Sequence, residues 1–349
     1  MFLTGGDVGS AFIEVERLRK YFPVQKGLVA QLFSRSTESV KAVDDVTFEL
    51  EKGDVFGLVG ESGSGKTTTG RITAGLLKPS MGKVVIDGTD IYALQSSGLR
   101  RFRKKMQLVY QDPLSSLNPK MTIGDAIGEP LRYLSDMKES KRRDAVLELM
   151  DRVGLSPSDM FYGRFPHQLS GGQRQRVVIA RAISIGPEYL VADEPVAMVD
   201  VSVRAQIMEL LLKMQKELNL TLLLITHDLA VAKYMCNKIS VMYLGKIMEN
   251  GRTKDLFANP QHPYTRALLE AVPIPDPRHR GGKELLSGEI PSALNPPKGC
   301  RFHPRCPYVF DRCSLEEPGL VEHDENHAVA CHLYTEGKSS VLLAAKKSK

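Results

Sequence analysis

The sequence predicts an α/β fold built around a phosphate-binding loop, on three observations. "DVFGLVGESGSGKTTTG", residues 54–70, reads as a buried strand, a glycine-rich loop and the start of a helix. "PEYLVADEP" and "LTLLLITHD" are apolar runs of strand length that end in acidic or imidazole side chains. Between these halves, roughly 112–168, the apolar residues follow a helical period instead. That predicts a small helical subdomain set between two parts of one core.

Each element follows in chain order. "VFGLVG" is the strand, and Gly60, Gly65, Lys66 and Thr67 fit the spacing G-x-x-x-x-G-K-[ST] without a mismatch. Glycines let backbone N–H groups close around phosphate oxygens, and a helix starting near Lys66 and running into "ITAGLL" adds the positive end of its dipole. Lys66 then reaches the outer phosphates, and the Thr67 hydroxyl can ligate Mg²⁺. "QLVYQDP" places Gln111 at the end of a further strand. "SKRRDAVLELMDRVGL" puts Val146, Leu149, Met150 and Val153 on one helix face, with Gly154 as the stop. In "HQLSGGQRQRVVIARAI", Ser170 is a fitting N-cap, two glycines allow close approach, and an amphipathic helix follows. On residues alone that is an ordinary helix cap. Asp193 at a strand tip suits the Mg²⁺ shell, Glu194 can polarise an attacking water, and His227 is placed to sense a γ-phosphate.

Composition narrows the class. Of 349 residues, 42% are apolar and 25% charged, enough for a substantial core and an appended module. No apolar run approaches the ~20 residues that cross a bilayer, and "MFLTGGDVGSAFIEVERL" lacks the basic and apolar regions of a secretory signal. The expectation is a cytoplasmic protein. A net charge of +6 is modest, and "RRFRKK" at 100–105 reads as a solvated helix face in preference to a phosphate or lipid contact. Residues 336–349 end in "AAKKSK", a basic tail, and no repeat points to a coiled coil or solenoid.

Taken together, Gly60–Thr67, Gln111, Leu169–Gln173, Asp193, Glu194 and His227 resemble, in order and spacing, the Walker A, Q-loop, signature, Walker B, catalytic glutamate and H-switch of an ABC-type ATPase. The resemblance implies a RecA-like core with antiparallel β and helical subdomains over about 12–258, the helical one at about 112–168. It implies ATP held by Gly60, Ser62, Gly63, Ser64, Gly65, Lys66, Thr67 and Thr68, and Mg²⁺ by Thr67, Gln111 and Asp193. Glu194, His227 and Gln111 are the implied catalytic set. Phe22 is the best match to the family's adenine-stacking aromatic and Tyr21 the second. The signature Leu169, Ser170, Gly171, Gly172 and Gln173 is implied to act on a partner's ATP, with Asp200 in the D-loop at the dimer seam. One motif departs: where the family commonly reads "SALD", this chain reads "AMVD", with Ala197 in place of the serine.

Lys66 and Leu169 lie only 103 positions apart, which leaves no room for the long insertion of the DNA-repair branch. One P-loop and one signature argue against the two-cassette ribosome factors. "YQDPLSSLNPKMTIGDAIGEPL", "NPQHPYTRALLEAVP", "VKAVDDVTFEL" and "SGEIPSALNPPKGCRFHPRCP" resemble the second of the paired motor subunits of oligopeptide and dipeptide importers, over about 12–335. That implies a homologous second ATP-binding subunit, in a heterodimer before a homodimer, two membrane permease subunits and a solute-binding protein outside the membrane. It also implies a peripheral position on the cytoplasmic face of the cell membrane. Oligosaccharide or nickel cargo is the alternative within the group. A soluble ABC ATPase acting on nucleic acid or ribosomes is the alternative outside it; no nucleic acid is expected.

The extension at 259–335 concentrates four of the five cysteines. Cys300, Cys306, Cys313 and Cys331 are separated by five, six and seventeen residues, in proline-rich polar sequence with little apolar core, whereas Cys236 reads as a small core residue. In a cytoplasmic protein such a cluster points to metal binding ahead of disulfides. Structural zinc uses tighter pairs, and four Cys ligands at wide spacing suit an iron–sulfur cluster at least as well. Resemblance to importer tails implies [4Fe–4S], with Zn²⁺ as the alternative. His303, His323, His327 and His332 lie nearby as possible replacement ligands.

Overall fold

Alternating exposure along β2 (Ser39–Leu50), with Val46, Phe48 and Leu50 buried between exposed neighbours, is what a sheet covered on one face demands. In the computed structural model, which describes residues 11–24, 38–271, 288–324 and 326–335, this strand joins β1 (Ile13–Pro23), β4 (Met81–Ile86) and β5 (Thr89–Asp90) in an antiparallel sheet ordered β2-β1-β4-β5. The basic tail at 336–349 lies outside the described residues.

A second sheet carries the core. Its order is β11 (Val321–Asp324), β12 (His327–Val329), β10 (Lys246–Arg252), β9 (Lys238–Tyr243), β3 (Val55–Val59), β8 (Thr221–Thr226), β7 (Tyr189–Asp193) and β6 (Met106–Val109). The strands β3, β6, β7, β8 and β9 run parallel. Every residue of β3, β7 and β8 is buried, as parallel strands covered on both faces require. Parallel alignment brings the C-terminal ends of β3, β7 and β8 to one edge, where an open α/β sheet binds its ligands.

The helix after β3, α1 (Lys66–Thr73), packs on β2, β7 and β8. It ends earlier than the run "ITAGLL" suggested. The Gly75 N–H bonds Ile72 O and the Leu76 N–H bonds Arg71 O, with Gly75 at φ 68, so a Schellman turn closes the helix. Helix α2 (Ser96–Lys105), which holds the basic run, has no buried residue, as a solvated face should.

The 112–168 segment folds into α3 (Pro113–Ser116), α4 (Ile123–Leu134), α5 (Glu139–Arg152) and α6 (Ser158–Tyr162). Val146 and Met150 of α5 are buried, and Gly154 at φ 78 follows the helix end. Helix α7 (Gly171–Ile183) packs on α3, α4 and α5 at one side and on β6 and α8 (Val201–Leu218) at the other, which ties the helical part to the core. The helices α9 (Leu229–Met235), α10 (Thr253–Ala258) and α11 (Pro263–Glu270) complete the order up to the C-terminal extension.

The extension does not stand apart. Beyond α12 (Asp311–Leu315), strands β11 (Val321–Asp324) and β12 (His327–Val329) lengthen the main sheet through β10 (Lys246–Arg252), with Glu249 opposite Val329 and Gly251 opposite His327. A last short helix, α13, spans His332–Thr335. Phe302 is fully buried against Tyr243, Tyr264 and His262, with ring centroids 5.5, 5.3 and 5.7 Å away. The expectation of a core-poor module is therefore corrected: a shared aromatic core holds it to the cassette. Among the described residues no helix is long and apolar enough to cross a membrane.

Candidate active site

The phosphate loop leaves β3 at Gly60. A Cβ on Gly60 would lie 2.1 Å from Met242 O, and one on Gly65 would lie 2.1 Å from Ala42 O, so only glycine fits either position. The loop, which also holds Ser62, Gly63 and Ser64, curls around the Lys66 ammonium. Lys66 Nζ donates to Gly60 O (2.7 Å), Glu61 O (2.8 Å) and Ser64 Oγ (3.2 Å). Burial pulls its pKa down to about 8, against Glu194, Asp193 and Glu61, which raise it. Thr67 Oγ1 donates to Asp193 Oδ1 at 3.0 Å, linking the first turn of α1 to the tip of β7, while Thr68 follows on the same turn. Asp193 is buried, which raises its pKa, and the Thr67 hydrogen bond opposes that shift.

Glu194 lies one residue past the strand instead of on it. It adopts the left-handed region at φ 47, uncommon for a residue with a side chain, and its N–H bonds Ile225 O. That turn aims its carboxylate at two groups from other segments. Gln111 Nε2 donates to Glu194 Oε2 at 2.7 Å, and His227 Nδ1 lies 3.0 Å from Glu194 Oε1. Gln111 also sits beyond its strand, β6 ending at Val109. The structure thus gathers Lys66, Thr67, Asp193, Glu194, Gln111 and His227 at one sheet edge. A strained backbone at a carboxylate joined to two polar side chains is a common mark of a working site.

The segment Leu169–Gln173 is placed elsewhere. Ser170 Oγ accepts from the Gln173 N–H at 3.3 Å, and Gln173 Oε1 accepts from the Ser170 N–H at 3.0 Å, a capping box that opens α7. Gly171 and Gly172 form the first turn, and the Asp200 segment lies beside them: a Cβ on Gly172 would strike Val203 at 2.6 Å. Helix α7 packs on the helical segment, α8 and β6, whereas α1 packs on β2, β7 and β8, so the two helices have different main neighbours. Met198 and Val201 are exposed next to it, 60% and 78%. A separate groove, lined by Leu76, Arg100, Tyr110, Leu134 and Arg181 among others, opens between the core and the helical segment beside the Gln111 turn.

At the other end of the loop, Phe22 is 38% exposed while the Tyr21 hydroxyl donates to Asp44. Burial and that carboxylate push the Tyr21 pKa up to about 12. Asp44 also pairs with the buried Arg301 of the extension. Burial raises the Asp44 carboxyl, but Tyr21, Arg301 and Lys246 outweigh it and leave it below its ordinary value. Arg305 Nη1 and Nη2 donate to the two Glu61 carboxylate oxygens at 2.7 and 3.1 Å, and the Glu61 N–H donates to Tyr264 Oη at 2.9 Å. None of Glu61, Asp44, Tyr264, Arg301 and Arg305 was marked in the sequence as a site neighbour. The available signal was that both arginines adjoin cysteines, in "GCR" and "PRC".

Cys300, Cys313 and Cys331 are buried and Cys306 is half-buried. They lie close enough for Cys331 to feel the other three electrostatically, and backbone N–H groups of Phe302, Tyr308 and Leu333 bond the sulfurs of Cys300, Cys306 and Cys331. Burial pushes these three thiols up to about 11, 12 and 12. Among the described residues, however, no group of three or more His, Cys, Asp or Glu side chains is arranged to hold a metal ion. His303 Nδ1 lies 2.9 Å from Cys300 O, His327 Nε2 2.7 Å from Glu249, and His332 Nε2 2.9 Å from Glu316 O, while His323 lies edge-on to Tyr334. Cys236 is buried alone beside Gly57.

Comparison with known proteins agrees in both halves of the chain. Residues 43–197 match the family model described as ABC transporter, and residues 248–313 match the one described as oligopeptide/dipeptide transporter, C-terminal region. The oligopeptide transport ATP-binding protein AppF of Bacillus subtilis is 47% identical over 326 residues, 93% of this chain and 97% of that protein. A probable peptide ABC transporter ATP-binding protein of Sinorhizobium fredii is 44% identical, over 93% of this chain and 91% of its own length. Among solved structures, a dimeric ATP-binding cassette in a post-hydrolysis state with ADP and phosphate superposes with a TM-score of 0.61 at 29% identity. The match covers 69% of this chain and 98% of that one.

Proposed function

The chain belongs to the peptide and oligopeptide branch of the ABC-transporter ATP-binding proteins, and on that premise we propose how its residues divide the work of an ATP-driven importer. It is the ATP-binding, ATP-hydrolysing subunit of a peptide or oligopeptide ABC importer. The observation that carries the reading of the site is the set of three contacts at one sheet edge: Thr67 with Asp193, Gln111 with Glu194, and His227 with Glu194.

Gly60 and Ser62–Thr68 bind the phosphates through loop N–H groups, the α1 N-terminus and Lys66, and Phe22 stacks on adenine, with Tyr21 as its alternative. Thr67, Asp193 and Gln111 would hold Mg²⁺, which supplies charge neutralisation on the phosphates. Glu194 accepts the proton of the attacking water, and its left-handed turn aims the carboxylate. His227 and Gln111 orient that carboxylate, and Gln111 reports the site's state to the helical subdomain at about 112–168. The Leu169–Gln173 helix start presents its N–H groups to the ATP of a partner cassette, with Asp200 at the seam. That trans arrangement is supported by the different main neighbours of α7 and α1 and by the exposed Met198 and Val201.

The cassette at 12–258 works with a homologous second ATP-binding subunit, a heterodimer before a homodimer, and with two permease subunits whose cytoplasmic helices fit the groove beside Gln111. A solute-binding protein selects the cargo, and the subunit is peripheral on the cytoplasmic membrane face. Oligosaccharide or nickel cargo is the alternative. The extension at 259–335 gathers Cys300, Cys306, Cys313 and Cys331 for a [4Fe–4S] cluster, or Zn²⁺ in its place. The described side chains are not arranged as a metal site. This reading therefore rests on donor chemistry alone: four thiols near enough to interact, with backbone N–H groups on three of the sulfurs.

Glu194→Gln in the assembled transporter tests the site. It should retain ATP binding and lower turnover by ~10²–10⁴-fold. Hydrolysis at the wild-type rate would remove Glu194 from the proton-accepting role.

A further inference from the structure

We infer that the C-terminal extension is a working part of the phosphate loop, with Arg305 and Tyr264 as positioning residues that act through Glu61. The inference rests on the nucleotide reading of that loop and goes one step past it. Glu61 stands between Gly60 and Ser62, and each of its polar groups is taken. Its carboxylate receives both arms of Arg305, at 2.7 and 3.1 Å. Its N–H donates to Tyr264 Oη at 2.9 Å, and its carbonyl accepts from Lys66 Nζ at 2.8 Å. Two of the three anchors come from the extension, and the third is the lysine that meets the phosphates.

The charge arithmetic explains why an arginine is needed. A carboxylate in a loop that receives a polyphosphate repels its ligand unless a cation cancels it. Arg305 supplies the cation in planar, two-point geometry that lysine cannot match. Its side chain is 5% exposed and also donates to Tyr243 Oη at 3.3 Å, so its position is set by packing. Tyr264 is fully buried against Phe302, which fixes the hydroxyl that receives the loop N–H. Four residues before Arg305, Arg301 bonds Leu244 O and pairs with Asp44, which holds the Tyr21 hydroxyl. One short segment thus reaches both the phosphate loop and the aromatic pair upstream of it.

A purely architectural ion pair would hold the extension in place without altering ligand affinity, and calorimetric titration of the full-length chain with Mg-ADP separates the two. Wild-type protein must bind; if it does not, the nucleotide reading itself fails. Arg305→Gln should weaken binding about tenfold, the effect of one uncompensated charge roughly 10 Å from a phosphate at an effective dielectric of about 20. Adding Glu61→Gln to that variant should restore most of the loss, because the repelling charge is gone. Tyr264→Phe removes one oxygen and no charge. It keeps the test open if Arg305→Gln fails to fold, and should weaken binding about threefold, the size of one hydrogen bond. Wild-type affinity in Arg305→Gln or, where that variant does not fold, in Tyr264→Phe, whatever the melting temperature does, overturns the inference. So does a double variant as weak as Arg305→Gln alone.

Discussion

Lys66 sets the terms at the scale of a residue. It is buried with three protein acceptors around it, and burial brings its pKa down to about 8. Bound phosphate oxygens favour the ammonium, so the complex holds this proton to higher pH than the free protein does. Above pH 8 binding therefore takes up a proton. Mg-ADP affinity should be flat below that value and fall as pH rises through it, by at most about tenfold per pH unit for one proton. Titrations between pH 7 and 9.5 check this; a flat profile across that range would contradict the shifted lysine. Much of this neighbourhood was legible in the sequence, because Gly60, Gly65, Lys66 and Thr67 all fall within one short stretch of the chain, residues 60–67. The hydrogen bonds of Gln111 and His227 to Glu194 were not. Those residues lie on three segments, and no local pattern states which carboxylate each will meet.

Among elements, the strand–loop–helix order around β3 and α1 and the apolar runs of β7 and β8 could be read directly, since buried parallel strands leave an unmistakable composition. The ends were less readable. Helix α1 stops at Thr73 because a Schellman turn closes there, and Glu194 falls outside β7 because the backbone turns left-handed. The extension was the element least open to such reading. Its segment around the cysteines looks polar and core-poor because the aromatic partners of Phe302 lie far off in the sequence, Tyr264 some forty positions earlier and Tyr243 in β9 of the cassette. Strands β11 and β12, the buried Phe302 and the Glu249–His327 contact fasten it to the cassette. The proposed cluster then predicts ~4 iron atoms per chain in anaerobically purified protein, and chelation should lower the melting temperature without unfolding the ATPase core. One zinc per chain would replace the cluster by its alternative. Four freely titrating thiols in metal-free native protein would end the proposal.

At the scale of the whole molecule, α1, which follows the phosphate loop, packs on β2, β7 and β8, while α7, which begins after Ser170, joins the helical segment to α8 and β6. On the proposed trans arrangement the chain holds two halves of two sites. Its activity then depends on a partner cassette that brings a second helix start to Lys66 and Glu194. Ala197, which stands where the resemblance implies a serine, sits in the turn that leads to Asp200, with its N–H on Glu194 O. The segment proposed to lie at the seam is thus bonded directly to the Glu194 turn. The direct measurement is ATP turnover per chain as a function of concentration, for the isolated subunit and then for the subunit assembled with its partner cassette and permeases. The account predicts slow turnover in the dilute chain, rising with assembly; full turnover from a dilute monomer would contradict it.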